Sequence, residues 1–364
     1  MNRIRIRPQW SVSQEDDAVE HQMPVLLKLL AGIYEHGSLS KACLASGVSY
    51  RYAWGLVRNG ARLFGVPLVR LTRGQGASLT TLGEKLVWAD RRIAARLAPI
   101  FDSLSAELAA EFERVRADAQ PVLRIHASHG YAVTILRDLL AARNVQVEMH
   151  FRTSVDAFAS MCQAKCEIAG FHVPNGELEA PTLEPFKRLF RPRTQTLINL
   201  IARRQGLMVA KGNPKSIHAI ADLARPGIRF VNRQQGSGTR TLLEVLLQRD
   251  GIDSHSINGY EIAEFTHDAV AAYIASGMAD VGFGVEPGAR KFDLDFVPLV
   301  NERYFLACHT SALATEPVKQ VVSILRGNEF RALISNQRGL DSVDAGSTHT
   351  IDEAFPELFP TAGA

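Results

Sequence analysis

The hydrophobic pattern of this chain changes its period at Gln120-Pro121, and that change dictates two differently built parts. Ahead of it, from Pro24 onward, apolar residues recur at helical spacing. Beyond it, VLRIHAS, VQVEMHF, EIAGFHV, LINLIARRQGLMVAKG, IRFVNR and ADVGFGV read as strands. Between and after them YAVTILRDLLAARN, SVDAFASMCQAKC, TRTLLEVLLQRDG, THDAVAAYIASGM and PVKQVVSILRG read as helices. Strands alternating with helices predict a doubly wound α/β fold. No repeat or low-complexity tract interrupts it, and the tail after Asp341 carries no readable signal.

The first part divides into three short helices, PVLLKLLAGIYEHG, SLSKACLASG and SYRYAWGLVRNGARLFG. Gly37 and Gly47 fall where helices stop, and Ser38 and Ser49 where N-caps are wanted. VRLTRGQGASLT then reads as a hairpin centred on Arg73-Gly74-Gln75-Gly76. A small helical unit with an appended hairpin is a winged helix-turn-helix by pattern. After it Leu82, Leu86, Ile93, Leu97, Ile100, Leu104 and Leu108 repeat at a/d-like spacing, which if helical throughout, Pro99 leaving room for a bend, makes one helix roughly 55 Å long. A helix that long with one apolar stripe needs a partner, and we read it as a dimer seam. The resulting boundaries are 22–81 for the winged helix-turn-helix, 82–118 for the linker and dimerisation helix, and 122–340 for the α/β part.

Hydrophobic residues at 46% and charged ones at 22% exclude global disorder. No apolar run approaches the length that spans a bilayer, and MNRIRIRPQWSVSQEDD has no apolar segment after its arginines, so the expectation is a cytoplasmic protein without a membrane partner. The net charge of +3 says little about nucleic acid by itself. Its distribution says more: Lys41, Arg51, Arg58, Arg62, Arg70, Arg73 and Lys85 face a single acid, Glu84, over that span. Four scattered cysteines exclude a disulfide framework. The spacing of Cys162 and Cys166 puts both on one helical face, as core thiols or as half of a metal pair that no nearby CxxC or His completes. No metal or other cofactor is expected.

In the second part, NRQQGSGTRTLL (232–243) has the make-up of an anion cradle. Gly236 and Gly238 let the backbone approach a ligand, Ser237 and Thr239 bring hydroxyls, the following helix presents free N–H groups and its positive end, and Arg233 and Arg240 add charge. The plain alternative is an N-cap and tight turn with no ligand. A phosphate-binding ATPase loop is excluded by the missing Gly-Lys-Ser/Thr ending, and a nucleophile elbow by Gln235 and Thr239 where glycines would be required. His267 and Glu264 fit a cleft lining or a helix start, His126 a core position, and Asp280 a structural one. No carboxylate pair, Ser/His/Asp set or Cys/His set stands out, so no enzyme is expected.

Residues Gly37 to Leu86 resemble the DNA-binding domain of LysR-type transcriptional regulators, through GS before a helix, GVS before the recognition helix, GVPLV, the hairpin and LTxxGE opening the linker. SYRYAW is closer to the molybdate-responsive regulators, while Trp54 and Gly60 depart from the usual LysR pattern. A recognition helix enters the major groove by its N-terminal end, which puts Ser49, Tyr50, Arg51 and Tyr52 at bases and phosphates and Arg58 at phosphate, with Arg73 and Gln75 suited to the minor groove. Ala53, Leu56 and Val57 face the core. The span from Ser128 to Tyr304 resembles the periplasmic-binding-protein-like domain related to molybdate-binding proteins, through EIAGFHV, RRQGLMVAKGNPKSI, DLARPGIRFVNRQQGSGTRTLL, INGYE, THDAVAAYIASGMADVGFG and FVPLVNERY. That resemblance implies two lobes of the type II class with a ligand between them. Carried over by position, Ser128, His129, Thr153 and Ser154 belong to the first lobe and Ser237, Gly238 and Thr239 to the second. Arg152 stands beside them where the family often has Gly-Ser, either favouring a smaller or more acidic ligand or pointing to solvent.

The sequence therefore predicts an α/β protein with an N-terminal winged helix-turn-helix, a long linker helix and a two-lobed sensor. Its expected partners are double-stranded operator DNA, a second copy (homodimer or homotetramer) and a small anion such as molybdate, tungstate or formate. The competing reading is a solute-capture or enzymatic module fused to a DNA-binding head.

Overall fold

The computed structural model describes residues 4–13, 21–72, 76–114 and 122–359, in two compact units, one of them Arg7–Leu97 and the other the rest of the described chain. In the first unit a short antiparallel pair, β1 (Ser11–Val12) with β2 (His21–Gln22), precedes three helices: α1 (Pro24–His36), α2 (Leu39–Ser46) and α3 (Tyr50–Leu63). The glycines Gly37 (φ 61°) and Gly47 (φ 70°) end the first two in the left-handed conformation. Ser38 and Ser49 accept the N–H of Lys41 and Tyr52 at 3.4 and 3.3 Å, caps that stabilise each helix start by about 1 kcal/mol. The apolar stripes of the three meet in a core of Leu26, Leu30, Ile33, Ala42, Ala53 and Val57.

A hairpin follows, β3 (Val69–Thr72) antiparallel to β4 (Gly76–Leu79). It is tied to the helices by the Ala77 N–H, which donates to the Gly37 carbonyl at 2.9 Å. Gly76 is required there, because at φ 95° a Cβ would lie 2.4 Å from that same carbonyl oxygen. Next comes α4 (Thr81–Arg114), unbroken through Pro99 and about 51 Å long. Its first turns bury Leu86 and Val87. Farther along, Ile93, Ile100, Leu104, Leu108 and Phe112 are exposed, Phe112 by 61%.

The second unit begins as predicted, with β5 (Leu123–Ala127), α5 (Tyr131–Ala142), β6 (Val147–Phe151), α6 (Ser154–Cys162) and β7 (Ile168–Pro174), the three strands parallel in the order β6-β5-β7. After α7 (Glu179–Leu183) comes β8 (Gln195–Val209). The second lobe holds β9 (Phe230–Arg233), α8 (Gly238–Arg249), β10 (Ala263–Glu264), α9 (His267–Ala275), β11 (Val281–Val285) and α10 (Glu286–Lys291), with β10-β9-β11 again parallel. β12 (Asp295–His309) returns to the first lobe, where α11 (Glu316–Arg326) and α12 (Asn328–Ser335) cover it.

The doubly wound expectation needs correcting at the middle of this sheet. β8 and β12 are each 15 residues long and pair antiparallel to each other and to both lobes, giving the order β10-β9-β11-β8-β12-β7-β5-β6. Their Val209 and Asp295 ends belong to the second lobe and their Gln195 and His309 ends to the first, with register shifts between Pro298 and Val300 and between Tyr304 and Phe305. These two extended crossings join the lobes, and we call them the hinge strands.

Two smaller corrections concern the edges. α6 stops at Cys162, with Ala164 at φ 55°, so Cys166 lies in the loop ahead of β7 and the two thiols do not share a helical face. Burial raises the Cys166 thiol pKa to about 12, as expected of an inert core residue. The tail after Asp341 is structured: β13 (Leu340–Asp341) and β14 (Thr348–Thr350) pair with β8, and α13 (Ile351–Ala354) leads to Phe355. Phe355 joins Phe158, Phe171, Phe186, Phe190 and Phe305 in the first lobe's aromatic core, each ring contributing about 1.5–3 kcal/mol by burial.

Candidate functional site

Parallel strands present their carboxyl ends, and the helix starts that follow them, on one side of a sheet, where ligands of open α/β folds are held. Here those ends are Ser128 and His129 after β5, Arg152 and Thr153 after β6, Arg233 to Ser237 after β9, and Phe265 after β10. Together with Phe151 and with Pro99, Ile100, Ser103, Leu104 and Glu107 of α4 they enclose a cavity of about 370 Å³, within the range that holds small molecules. A second, much smaller space of about 10 Å³ lies among Tyr131, Arg203, His267 and Tyr304.

The two lobes meet at the glycines of the GSGT loop. A Cβ on Gly236 would stand 3.2 Å from Thr153 Cγ2, and one on Gly238 3.5 Å from Ser154 Oγ and 3.6 Å from His172 Cδ2. Thr153 and Ser237 cap α6 and α8, accepting the N–H of Asp156 and Arg240 at 3.2 Å each. Thr239 Oγ1 accepts from Gln205 Nε2 at 3.2 Å, and Ser128 Oγ donates to the Arg152 carbonyl at 3.4 Å. Several of the proposed ligand residues are thus already engaged in shaping the loops.

Arg233 is the exception. Its side chain is buried, 5% exposed, and its Nη2 donates to the Phe265 carbonyl at 2.9 Å, while Nε and Nη1 have no partner in the protein. Among the described residues no carboxylate pairs with it. Burial, followed by the neighbouring Arg203 charge, pushes its pKa down to about 9, with Asp268 opposing. Asp268 itself is held by the Tyr131 hydroxyl and Lys291. A buried guanidinium with two unpartnered nitrogens is costly unless an anion meets it.

Around it lie other buried groups without partners: Ser154 Oγ, His172 Nδ1, His267 Nδ1 and Gln205 Oε1. The floor is made by the hinge strands, where Arg203 Nε donates to Glu302 Oε2 at 2.6 Å and Gln205 Nε2 to the same oxygen at 3.0 Å. Tyr304 packs on His172 with ring centroids 3.7 Å apart and donates to the Ser128 carbonyl at 3.3 Å. Burial, then Arg203 and Arg233, hold His172 well below the usual imidazole range; burial, then Arg233, Arg203 and the other two histidines, do the same for His267. At pH 7 both rings are neutral.

The structure gathers Ser128, His129, Arg152, Thr153, Arg233 and Ser237 around the larger cavity, with Arg152 exposed at its edge. Ser154, Gly236, Gly238 and Thr239 stand at the seam between lobes, and His267 lines the smaller space. Arg240 is not brought in: its guanidinium lies 4.8 Å from the Tyr260 ring and bonds Glu244 at 3.0 Å. His172, Arg203, Gln205, Glu302 and Tyr304 were absent from the sequence reading. Their only signal is a polar residue at alternate positions of apolar strands, which in a half-buried strand would simply face water. His126 is a buried strand residue with a pKa lowered to about 4, mainly by burial, and Asp280 pairs with Arg229 at 2.8 Å, both structural.

In the first unit, α3 turns Ala53 and Val57 inward and leaves Ser49, Tyr50, Arg51, Tyr52, Trp54 and Arg58 exposed. Arg73 and Gln75 lie outside the described residues. Among the described residues no group of three His, Cys, Asp or Glu is placed to hold a metal, and no helix is long and apolar enough to cross a membrane.

The family profile of the PBP superfamily domain matches residues 137–326. That is more than half of the chain, which belongs to this family. The chain is 33% identical to the protein YvgK of Bacillus subtilis (strain 168) over 192 residues, 53% of this chain and 62% of that one, and so spans less than two thirds of that relative. Among solved structures it is similar to H2O2-bound mutant OxyR of Corynebacterium glutamicum (TM-score 0.44, 15% identity, covering 85% of this chain and 92% of that one). It is also similar to HinK, a LysR family transcriptional regulator from Pseudomonas aeruginosa (TM-score 0.39, 14% identity, 82% and 95%).

Proposed function

We propose that this protein is a ligand-responsive, DNA-binding transcription regulator whose second unit captures a small oxyanion. The observation that carries the reading is Arg233, a buried cation whose Nε and Nη1 no described residue satisfies. The helix starts of α6 and α8 and the hydroxyls of Ser154 and Ser237 stand in the same neighbourhood, a donor-rich setting suited to molybdate, tungstate, sulfate or phosphate, with formate as the smallest candidate. Catalysis is not part of the proposal, since the site offers donors but no nucleophile paired with a base.

The first unit, which we assign to residues 22–81, serves as a winged helix-turn-helix. α3 supplies the recognition surface, with exposed Arg51 and two tyrosines at its start and Arg58 two turns on. The apolar stripe of α4 through Ile100, Leu104 and Leu108 is the proposed seam between copies, as a dimer or tetramer in the cytoplasm, with 82–118 as the linker and 122–340 as the sensor. Ligand binding shifts the operator-binding geometry only in so far as the anion prefers one lobe arrangement over another.

A thermal-shift screen of the purified chain against molybdate, tungstate, sulfate, phosphate and formate tests the sensor. We expect at least one to raise Tm in proportion to ln(1 + [L]/Kd), and a flat response to all five would remove the anion assignment. For the DNA end, Arg51→Ala should weaken operator binding by about 1–3 kcal/mol at fixed salt, measured by fluorescence anisotropy. An unchanged affinity would place Arg51 off the interface.

A further inference from the structure

The anion proposed for Arg233 uses only one side of its cavity. Thr153, Arg233 and Ser237 bring donors from the loops after the strands, whereas Pro99, Ile100 and Leu104 of α4, Phe151 at the end of β6 and Phe265 after β10 bring hydrocarbon. Ile100 is 53% exposed, Leu104 41% and Phe265 51%. Large apolar side chains from separate parts of the chain that line one space, each left partly in water, mark a place where another apolar surface belongs. Size points the same way. At ~30 Å³ for each water, a cavity of about 370 Å³ holds roughly a dozen. A tetrahedral oxyanion displaces a few of them and leaves the apolar side wet.

α4 is held in place where it forms this side. Its Asp102 lies 3.4 Å from Arg137 of α5 and 3.8 Å from His129 after β5, and its Glu107 lies 3.7 Å from His150 of β6. The His129 ring packs on Phe151 with centroids 4.9 Å apart. These ties fasten the helix to the first lobe, while Arg233 and Phe265 belong to the second. Phe265 adjoins both kinds of surface, since its carbonyl accepts from Arg233 Nη2 at 2.9 Å and the residue lines the cavity.

Resting on the oxyanion reading above, we infer that this site binds an organic monoacid, whose acid group meets Arg233 and whose apolar body lies against Ile100 and Leu104 of α4. The long helix is then a wall of the ligand site and sets its specificity. Charge fixes the orientation. Among the described residues the fixed cations of the lining are Arg152 and Arg233, both after strands, whereas α4 contributes the carboxylate of Glu107. A second acid group at the far end of the ligand would meet that carboxylate and an apolar surface, so a diacid is rejected.

The same helix carries the stripe proposed as the seam between copies, and the two occupants divide it. Pro99, Ser103 and Glu107, four residues apart, form one row on the cavity. Ile100 and Leu104 form the next row, which Leu108 continues beyond the cavity lining. An occupant of the cavity therefore touches the edge of the row that meets the second copy, which gives the ligand a direct route to assembly.

Isothermal titration of the full chain with sodium formate, butanoate, hexanoate and adipate, and with hexan-1-ol, at one pH and one salt concentration, tests this. The expected result is a Kd that falls about fourfold for each methylene added between butanoate and hexanoate. Adipate sets an acid on α4 and hexan-1-ol leaves Arg233 unmet, so both should bind more weakly than hexanoate by about tenfold or more. Leu104→Ser with Phe265→Ser should flatten the dependence on chain length, and since both side chains are exposed the fold does not rest on them. Equal affinities for formate and hexanoate, or molybdate bound and hexanoate not, overturn the organic acid and leave the anion site standing, with the apolar side covered by the second copy instead. Adipate or hexan-1-ol binding as tightly as hexanoate overturns the orientation. A chain-length dependence that survives the double substitution overturns the wall assigned to α4 and Phe265. No binding by any of these acids, with molybdate, tungstate, sulfate and phosphate silent in thermal shift as well, removes the oxyanion reading and the organic acid with it.

Discussion

Arg233→Met abolishes the anion-induced rise in Tm and leaves the ligand-free protein at least as stable as before. Under the proposed function those two effects have opposite signs, because a cation kept buried for an anion destabilises the ligand-free protein. The Nε and Nη1 of Arg233 are unsatisfied, and Nη2 reaches only the Phe265 carbonyl. Methionine fills a similar volume without a charge, so the free protein loses an uncompensated buried cation, whose desolvation costs several kcal/mol. The bound protein loses the charge that meets the anion. Truncating one side of a buried hydrogen-bonded charge pair costs about 2–5 kcal/mol, roughly 30- to several-thousand-fold in Kd.

The pH dependence adds a check. With a folded pKa lowered to about 9 from 12.5, Arg233 disfavours folding at pH 7, and this cost declines only as pH rises past the folded value, because there the unfolded chain binds more protons. The wild-type protein should therefore gain stability above about pH 9 relative to Arg233→Met. Calorimetric unfolding of both proteins, with and without molybdate, measures all of this. A variant that keeps the full anion response would show that Arg233 does not meet the ligand.

Glu302→Gln should be the more damaging change to the free protein. Glu302 is 1% exposed and is the only carboxylate bonded to Arg203 among the described contacts, at 2.6 Å, with Gln205 donating to the same oxygen. Neutralising it leaves two buried guanidinium groups near each other, and breaking a buried pair from one side costs about 3–5 kcal/mol. Urea unfolding reads that loss. The same logic predicts rescue: a dianion now offsets two charges, so saturating molybdate should raise the stability of Glu302→Gln by more than it raises that of the wild type. A loss under about 1 kcal/mol, within the ordinary range of surface substitutions, would mean that the hinge charge is solvated and not part of the site's electrostatics.

Local rules carried the reading of each loop. A serine, threonine or glycine before an apolar helix is legible from neighbours three and four residues away, which is why the starts of α2, α3, α6, α8 and α9 and the GSGT loop were found. Strand ends in parallel sheets point the same way, so Ser128, Thr153 and Ser237 converge as the family resemblance implied. Arg240 shows the limit of counting charges: its i,i+4 partner Glu244 was in view, and that spacing makes a helix-surface pair more readily than a ligand contact. The tail after Asp341 was opaque because short strands such as β14 exist only through their pairing with β8.

What the sequence by itself determined is the order of most of its helices and strands and the glycine-rich loop that opens α8. What only the tertiary structure decided is the floor of the site. His172, Arg203, Gln205, Glu302 and Tyr304 lie on three strands up to 132 positions apart in the chain, as His172 and Tyr304 are. Nothing local distinguishes a polar strand residue that faces water from one that faces another lobe. The distinction is made when elements of both lobes pack on the faces of β8 and β12, because that packing removes water and leaves a charge there to be met by another residue or by a ligand.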